Sequence, residues 1–197
     1  MLDYIKGSVT ELTPTEVILE NNGIGYSILI SLQTFQALEN KKEATVYIHH
    51  YMREREDIEL FYGFATKDER ELFKLLISVS GVGVSSARMM LSSLSAEEIR
   101  QALLSEDLAR IKSVKGIGLK TAQRMVLELK DKIVRGEGAD SSALFAGGRG
   151  EVVEEATRAL IMLGFSKPNV NKAIQAILKA NPNAKVEQII KSALQMM

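Results

Sequence analysis

Cysteine and tryptophan are absent from the 197 residues, and proline occurs only three times. Without cysteine the chain has no disulfide scaffold, no thiol nucleophile and no thiolate zinc site, and it fits a reducing compartment. Histidine is nearly absent too, with only His49 and His50. Neighbours in a strand point to opposite faces, so these two do not readily share one ion, and no metal site is expected. No apolar run approaches the ~20 residues a membrane helix needs. The opening MLDYIKGSV lacks the apolar stretch of a signal peptide. A soluble, cytoplasmic protein without a membrane partner is expected.

Hydrophobic residues make up 46% and charged residues 25%, which is ordinary for a folded chain and argues against wholesale disorder. Formal net charge is zero, but it is unevenly spread. Residues 1–64 carry 5 Lys/Arg against 10 Asp/Glu, and residues 65–135 carry 13 against 9. Within the latter, 108–135 hold 8 against 2. A chain with one acidic and one basic section can hold a polyanion in one place and repel it in another.

The spacing predicts a multidomain α+β protein. Residues 1–64 read as five short strands, LDYIKGSVTEL, TEVILEN, IGYSILIS, ATVYIHHYM and DIELFYGF, separated by turn signals such as Asn22-Gly23. Five strands in this space suggest a small closed barrel of the OB type. Eight of the eleven aromatics lie here, and some of them must fill its core. From residue 66 the period becomes helical. Thr66 with Glu69, and Ser95 with Glu98, form capping-box patterns ahead of apolar runs, and a third start is expected at Ser105. A long amphipathic helix is expected from about Leu119 to Val134. Residues 65–135 thus form an all-helical domain. Residues 136–150, GEGADSSALFAGGRG, read as a flexible linker, and 151–197 as a three-helix bundle.

The most informative feature is an internal repeat. Residues 78–91, SVSGVGVSSARMML, match residues 113–126, SVKGIGLKTAQRMV, at an offset of 35. Ser, Val, both Gly, Ala and Met coincide. Each copy is a Gly–hydrophobic–Gly turn between two helices. The glycines of such a turn, Gly81 and Gly83 or Gly116 and Gly118, permit positive φ and close backbone approach, with Val82 or Ile117 anchored inward. The first N–H groups of the next helix lack intrahelical acceptors and sit at its positive end, a ready anion site. DNA phosphate is the expected anion, and such a contact reads no bases. Lys115, Lys120 and Arg124 would add charge, and Ser85, Ser86 and Thr121 hydroxyl donors. One G-x-G could merely join two packed helices; two matching copies beside a basic segment point to tandem helix-hairpin-helix elements. Met89, Met90 and Met125 read as core or interface fillers.

The same glycines do not make a nucleotide site. GIGLKT is a fragment of a phosphate loop, but neither G-x-x-x-x-G-K-[ST] nor G-x-G-x-x-G occurs in the chain. No catalytic residue and no cofactor is expected. Arg53-Glu54-Arg55-Glu56-Asp57 is a charged loop between two strands. Alone, such a hairpin reads as a solvated loop; in an acidic domain beside a DNA-binding one, its carboxylates would repel phosphates and could push strands apart or exclude an alternative path.

A barrel ending in LFYGF, the GVG and GIG hairpins, a glycine-rich linker and a small helical bundle follow in this order. The order resembles the RuvA family, the Holliday-junction-binding subunits of bacterial branch-migration complexes, over essentially the full length. The resemblance implies a non-catalytic, sequence-independent binder of four-way junctions in recombination, DNA repair and the SOS response. It implies a flat homotetramer, or two stacked into an octamer, with the junction arms held by the paired hairpins. It places an acidic pin at Glu56 and Asp57. It makes the third domain the docking module for the hexameric ATPase RuvB, with Leu160, Leu163, Phe165 and Ile174 in that module, and adds the resolvase RuvC as a partner. ATP and Mg would belong to the motor. Relatives often carry Lys soon after the first hairpin and at the position of Leu119. With Ser85 and Ser86 in the former place, the first hairpin is expected to rely more on backbone N–H groups, shifting affinity and salt dependence.

Two other readings use the same residues. A glycosylase or lyase needs a catalytic Asp near the hairpin and a pocket for a flipped base. Asp131 lies thirteen residues after Gly118, but Lys130-Asp131-Lys132 reads as a solvated helix end. A single-strand binder would use the barrel's aromatics as a stacking platform. The barrel's acidic balance argues against a groove that tracks phosphates.

Overall fold

The computed structural model describes residues 2–53, 57–134, 149–181 and 184–196. It divides into two compact units, Met1–Ser141 and Ser142–Met197.

The first unit opens with β1 (Tyr4–Thr13), β2 (Glu16–Asn21), β3 (Ile24–Ile30), α1 (Leu32–Leu38), β4 (Glu43–Arg53) and β5 (Ile58–Phe64). The strands close into a barrel in the order β1-β2-β3-β5-β4, with β3 and β5 parallel and the other pairs antiparallel. Its interior follows the strand period of two, with Val17 and Leu19, Ile28 and Ile30, and Val46 and Ile48 all buried. Helix α1, which strand patterning does not reveal, plugs the step from β3 to β4. Ser31 caps it by accepting from the Thr34 N–H, and Leu38 is buried.

Five helices follow, α2 (Lys67–Ile77), α3 (Val84–Ser93), α4 (Ala96–Leu104), α5 (Leu108–Lys112) and α6 (Leu119–Val134). Phe73 of α2 ties them to the barrel. It is fully buried, 5.5 Å from the Tyr62 ring, 4.9 Å from Phe64 and 5.3 Å from His49. Beside it the buried Arg70 donates to the Asp3 carbonyl at 2.7 Å and to the Asp3 carboxylate at 2.6 Å. Glu69 accepts from the Ala65 N–H at 3.0 Å and the Thr34 hydroxyl at 3.4 Å. On α3, Arg88 donates to the Thr15 carbonyl at 3.3 Å and Ser92 accepts from the Leu32 N–H at 3.1 Å.

One expectation needs correction here. The third helix start is not at Ser105, whose hydroxyl bonds back to the Gln101 carbonyl as α4 ends. Glu106 turns left-handed at φ 58°, and Asp107 caps α5 instead. Of the methionines read as core or interface fillers, Met90 and Met125 are in the core and Met89 is exposed.

The second unit contains α7 (Arg149–Met162), α8 (Lys167–Ala180) and α9 (Val186–Met196). Gly164, at φ 97°, ends α7 with two bonds, from its own N–H to the Ile161 carbonyl and from Phe165 N–H to the Leu160 carbonyl. This is a Schellman closure. Leu160 and Ile174 are 0% and 2% exposed and belong to the unit's core. That corrects their expected place in a partner contact, because a partner cannot reach them while the bundle is folded. Leu163 is 59% exposed and Phe165 is half-buried, so both have surface. The glycine-rich stretch 136–150 lies outside the described residues except for Arg149 and Gly150, which open α7. No described helix is long and apolar enough to cross a membrane.

Replacing Phe73 by Ala is expected to cost the first unit about 3–5 kcal/mol, the range for a buried aromatic; urea unfolding measures it. Burial, with Lys74, His50 and Arg70 beside it, holds the His49 pKa below its ordinary value, against an opposing pull from Glu71. As pH falls below about 6.5 the unfolded chain takes up this proton first. The stability that neutral His49 supplies is therefore present above that pH and lost as pH falls toward the folded pKa. Thermal melts from about pH 7 to pH 5 are expected to lose less stability in H49Q than in the parent.

Candidate nucleic-acid interface

Each copy of the repeat closes as a tight turn. The Val82 N–H donates to the Val79 carbonyl at 3.0 Å, and the Ile117 N–H to the Val114 carbonyl at 3.1 Å. The third residues, Gly81 and Gly116, sit at φ 94° and 92°. The bond and the left-handed third residue define a type II turn, which favours glycine there. The second glycines do not use the positive φ that glycine permits. Gly83 is extended at φ −84°, and Gly118 is not left-handed either. Their lack of a side chain serves another purpose, since a Cβ at either would meet nothing within 4 Å. They leave open space in front of the helix that follows.

Val82 and Ile117 are each 5% exposed and anchor their turns in the core, as the repeat predicts. The supporting bonds repeat as well. Ser78 and Ser113 both donate their hydroxyls to the carbonyl three residues earlier at 2.7 Å. Ala87 donates to Gly83 at 3.0 Å and Ala122 to Gly118 at 2.9 Å, which opens α3 and α6.

Within the first unit the helix starts differ in one respect. Ser31, Thr66, Ser95 and Asp107 cap α1, α2, α4 and α5 with a side-chain oxygen. Ser95 with Glu98 completes a capping box. Helix α3 begins at Gly83 with no side-chain cap, and α6 begins after Gly118, which has no side chain to offer. These two helices keep their first N–H groups open at the positive end of the dipole.

The two hairpins face each other about a pseudo-two-fold axis. A Cβ on Gly81 would lie 3.8 Å from the Thr121 hydroxyl, and one on Gly116 would lie 3.7 Å from the Ser86 hydroxyl. Gly81 and Gly116 are equivalent in the repeat, and so are Ser86 and Thr121. Both half-buried hydroxyls therefore line the seam between hairpins, a placement the repeat's spacing did not reveal. Ser85, Lys115, Leu119 and Lys120 are exposed around the two helix starts. Arg124 crosses the seam, donating to the Ser80 carbonyl at 3.2 Å and pairing with Glu128 at 3.8 Å.

The acidic loop tops the β4–β5 hairpin, whose last pair is Arg53 with Ile58. Exposure rises toward this tip, from 2% at Ile48 to 43% at Met52. Asp57 is exposed and left-handed at φ 50°; Glu54, Arg55 and Glu56 lie outside the described residues. His49 and His50 point to opposite sides, one against Phe73 and the other 3.5 Å from Glu59. Among the described residues no three potential ligands gather as a metal cluster.

The rival chemistries find little support here. Asp131 lies thirteen residues after Gly118, about 20 Å along α6 from the open helix start. It lines a surface cleft of about 370 Å³ together with Glu106 and Lys130, which pair with each other at 2.5 Å. Several barrel aromatics are already engaged. Tyr62 and Phe64 pack on Phe73, Tyr51 on Tyr62, and Tyr47 lies under Lys67 and Arg70.

Gly81→Ala is expected to cost about 1–2 kcal/mol, because a Cβ is strained in the left-handed region. Gly83→Ala, at ordinary φ and facing open space, is expected to be neutral or to stabilise by up to about 1 kcal/mol. Thermal unfolding of the two variants measures the contrast.

Family models match along the chain. The RuvA N terminal domain matches residues 1–63, a SAM-like helix-hairpin-helix tandem residues 73–131, and the RuvA C-terminal domain residues 151–197. Similar curated proteins bear the name Holliday junction branch migration complex subunit RuvA. The one from Parabacteroides distasonis is 51% identical over 198 residues, covering 100% of both chains. Those from Christiangramia forsetii and Bacteroides fragilis are 50% and 48% identical, each covering 98% of both chains. With paired hairpins, a closed barrel and full-length identity of this order, the chain belongs to the RuvA family.

Proposed function

We propose that this chain binds four-way DNA junctions through the sugar-phosphate backbone and serves as the non-catalytic, junction-binding subunit of a branch migration complex. The observation that carries the reading is the pair of uncapped helix starts, brought together by the seam of Gly81 with Thr121 and Gly116 with Ser86. Open N–H groups and the helix dipole suit phosphate oxygens and ignore base identity. The site residues are Gly81, Val82, Gly83 and Ser85 in the first hairpin and Lys115, Gly116, Ile117, Gly118 and Lys120 in the second. Val82 and Ile117 act from within the core by fixing their turns. Ser86, Thr121 and Arg124 act at the seam.

Glu56 and Asp57 form a pin that repels phosphate. Two unit charges about 5 Å apart in water repel by roughly 0.8 kcal/mol. Several carboxylates at a junction centre therefore bias strands apart without holding them. The working assembly is a homotetramer, with an octamer as its stacked form. Its motor is the hexameric ATPase RuvB, which uses ATP and Mg, and RuvC is a further partner. This chain itself needs no cofactor. In the second unit the exposed Ile161, Met162 and Leu163 of the α7 end, with Phe165, offer the apolar surface for the motor.

Two experiments test this reading. Gly83→Val with Gly118→Val puts side chains into the open space before both helices. It is expected to weaken binding to every DNA form while the fold survives; unchanged affinity in a folded variant would refute the phosphate site. For four chains with one phosphate per hairpin, a log–log salt slope of about −7 is the upper limit, because backbone donors bring no full charge and release fewer counterions. Glu56→Gln with Asp57→Asn is expected to leave junction affinity equal or higher and to change the rate of motor-driven strand exchange. A large loss of binding would sink the pin.

A further inference from the structure

The two hairpins are equivalent in backbone but not in what surrounds them. The second carries Lys115 in its turn and Lys120 on the helix that follows. The first has Ser80 and Ser85 at those positions. Conversely, Arg124 has no counterpart. Its equivalent in the first copy is Met89, which is exposed and can donate no hydrogen bond. The Arg124–Ser80 bond is therefore a contact across the seam that breaks the pseudo-symmetry.

The atom that Arg124 holds is informative. Ser80 and Gly81 are the central residues of the first type II turn, and the peptide between them is the one that flips when such a turn converts to type I. Because that peptide is planar and trans, the Ser80 carbonyl and the Gly81 N–H point in opposite directions. Fixing the carbonyl fixes the N–H. Among the described residues the Gly81 N–H has no protein acceptor, and the glycine is exposed. A flip would exchange this free donor for a carbonyl oxygen, whose partial negative charge repels phosphate. Glycine makes either orientation sterically accessible, so the turn by itself does not strongly choose.

We infer that Arg124 is a positioning residue, which locks the Ser80–Gly81 peptide so that the lysine-poor first hairpin presents its N–H to phosphate. This inference rests on the phosphate reading of the hairpins. It gives the hairpins different means of holding the same anion. The second uses side-chain charge, and the first uses a backbone donor whose direction is set from the second hairpin's helix. Arg124 thereby makes the first site depend on the second being folded against it.

The test compares R124Q with K120Q in the full chain, titrating an immobile four-way junction across a series of KCl concentrations. Selective 15N-glycine labelling reports the Gly81 and Gly116 amides of the free protein. K120Q is expected to flatten the salt slope by about 0.9 for each phosphate that is no longer neutralised. R124Q is expected to lower affinity by roughly three- to ten-fold per engaged chain, the worth of one hydrogen bond, with the slope unchanged. Its Gly81 amide resonance is expected to move while Gly116 stays. A slope flattened as in K120Q would overturn the inference and make Arg124 a phosphate ligand. Unchanged affinity with an unmoved Gly81 resonance would also overturn it. If the parent protein showed no salt-dependent junction binding, the phosphate reading itself would fall. An unmoved Gly81 resonance alongside intact parent binding would reject only the role of Arg124.

Discussion

Two left-handed glycines, Gly81 and Gly116, set the geometry on which the helical half of the first unit depends. Each lets the chain reverse in four residues while Val82 or Ile117 remains buried. A Cβ in either place would strain the left-handed turn, while meeting the facing hydroxyl of Thr121 or Ser86 only at ordinary contact distance. The turns bring α3 and α6 to their starting points beside each other, and the core beneath holds them there. What reaches the surface is backbone, two sets of N–H groups left open where the neighbouring helices have side-chain caps.

The barrel contributes position. Phe73 wedges between Tyr62, Phe64 and His49, and Arg70 is held by Asp3, so the helices are fixed against β4, β5 and the residue before β1. Arg88 and Ser92 tie α3 to the loop before β2 and to the start of α1. The β4–β5 hairpin that ends at Asp57 belongs to the same unit as the two helix starts. On the proposed reading, an attractive site and a repulsive tip in one compact unit would let a chain with no net charge handle a polyanion. The charges are separated along the sequence.

Much of this was legible in the residues. The 35-residue repeat located both turns and both buried anchors, because the same local contacts must be made twice. The five strands and α6 followed from periodicity and turn residues. Other features depend on contacts distant in sequence. Helix α1 spans only seven residues between strands, too short for its period to stand out. Asp107 displaced Ser105 as a cap because Glu106 turns left-handed, which capping patterns do not encode. Ser86, Thr121 and Arg124 have the chemistry of phosphate ligands, yet their seam positions follow from the hairpins' mutual packing. Leu160 and Ile174 illustrate the limit of apolar patterning, since large apolar residues mark a bundle's core before they mark its contact surface. The repelling loop and the tethered bundle were legible in the residues, whereas a pin at a junction's centre and a motor as the bundle's partner are implied only by the resemblance to the RuvA family.

The most direct measurement of the central claim is a gel-shift competition at fixed moderate salt, without ATP or divalent metal. An immobile four-way junction competes against linear duplex and single strand of the same length. Paired backbone sites in a junction-shaped assembly should favour the junction by a factor of ten or more, about 1.4 kcal/mol. Equal affinity for junction and duplex would leave working phosphate sites but contradict junction recognition, and a preference for single strand would contradict the role given to the hairpins.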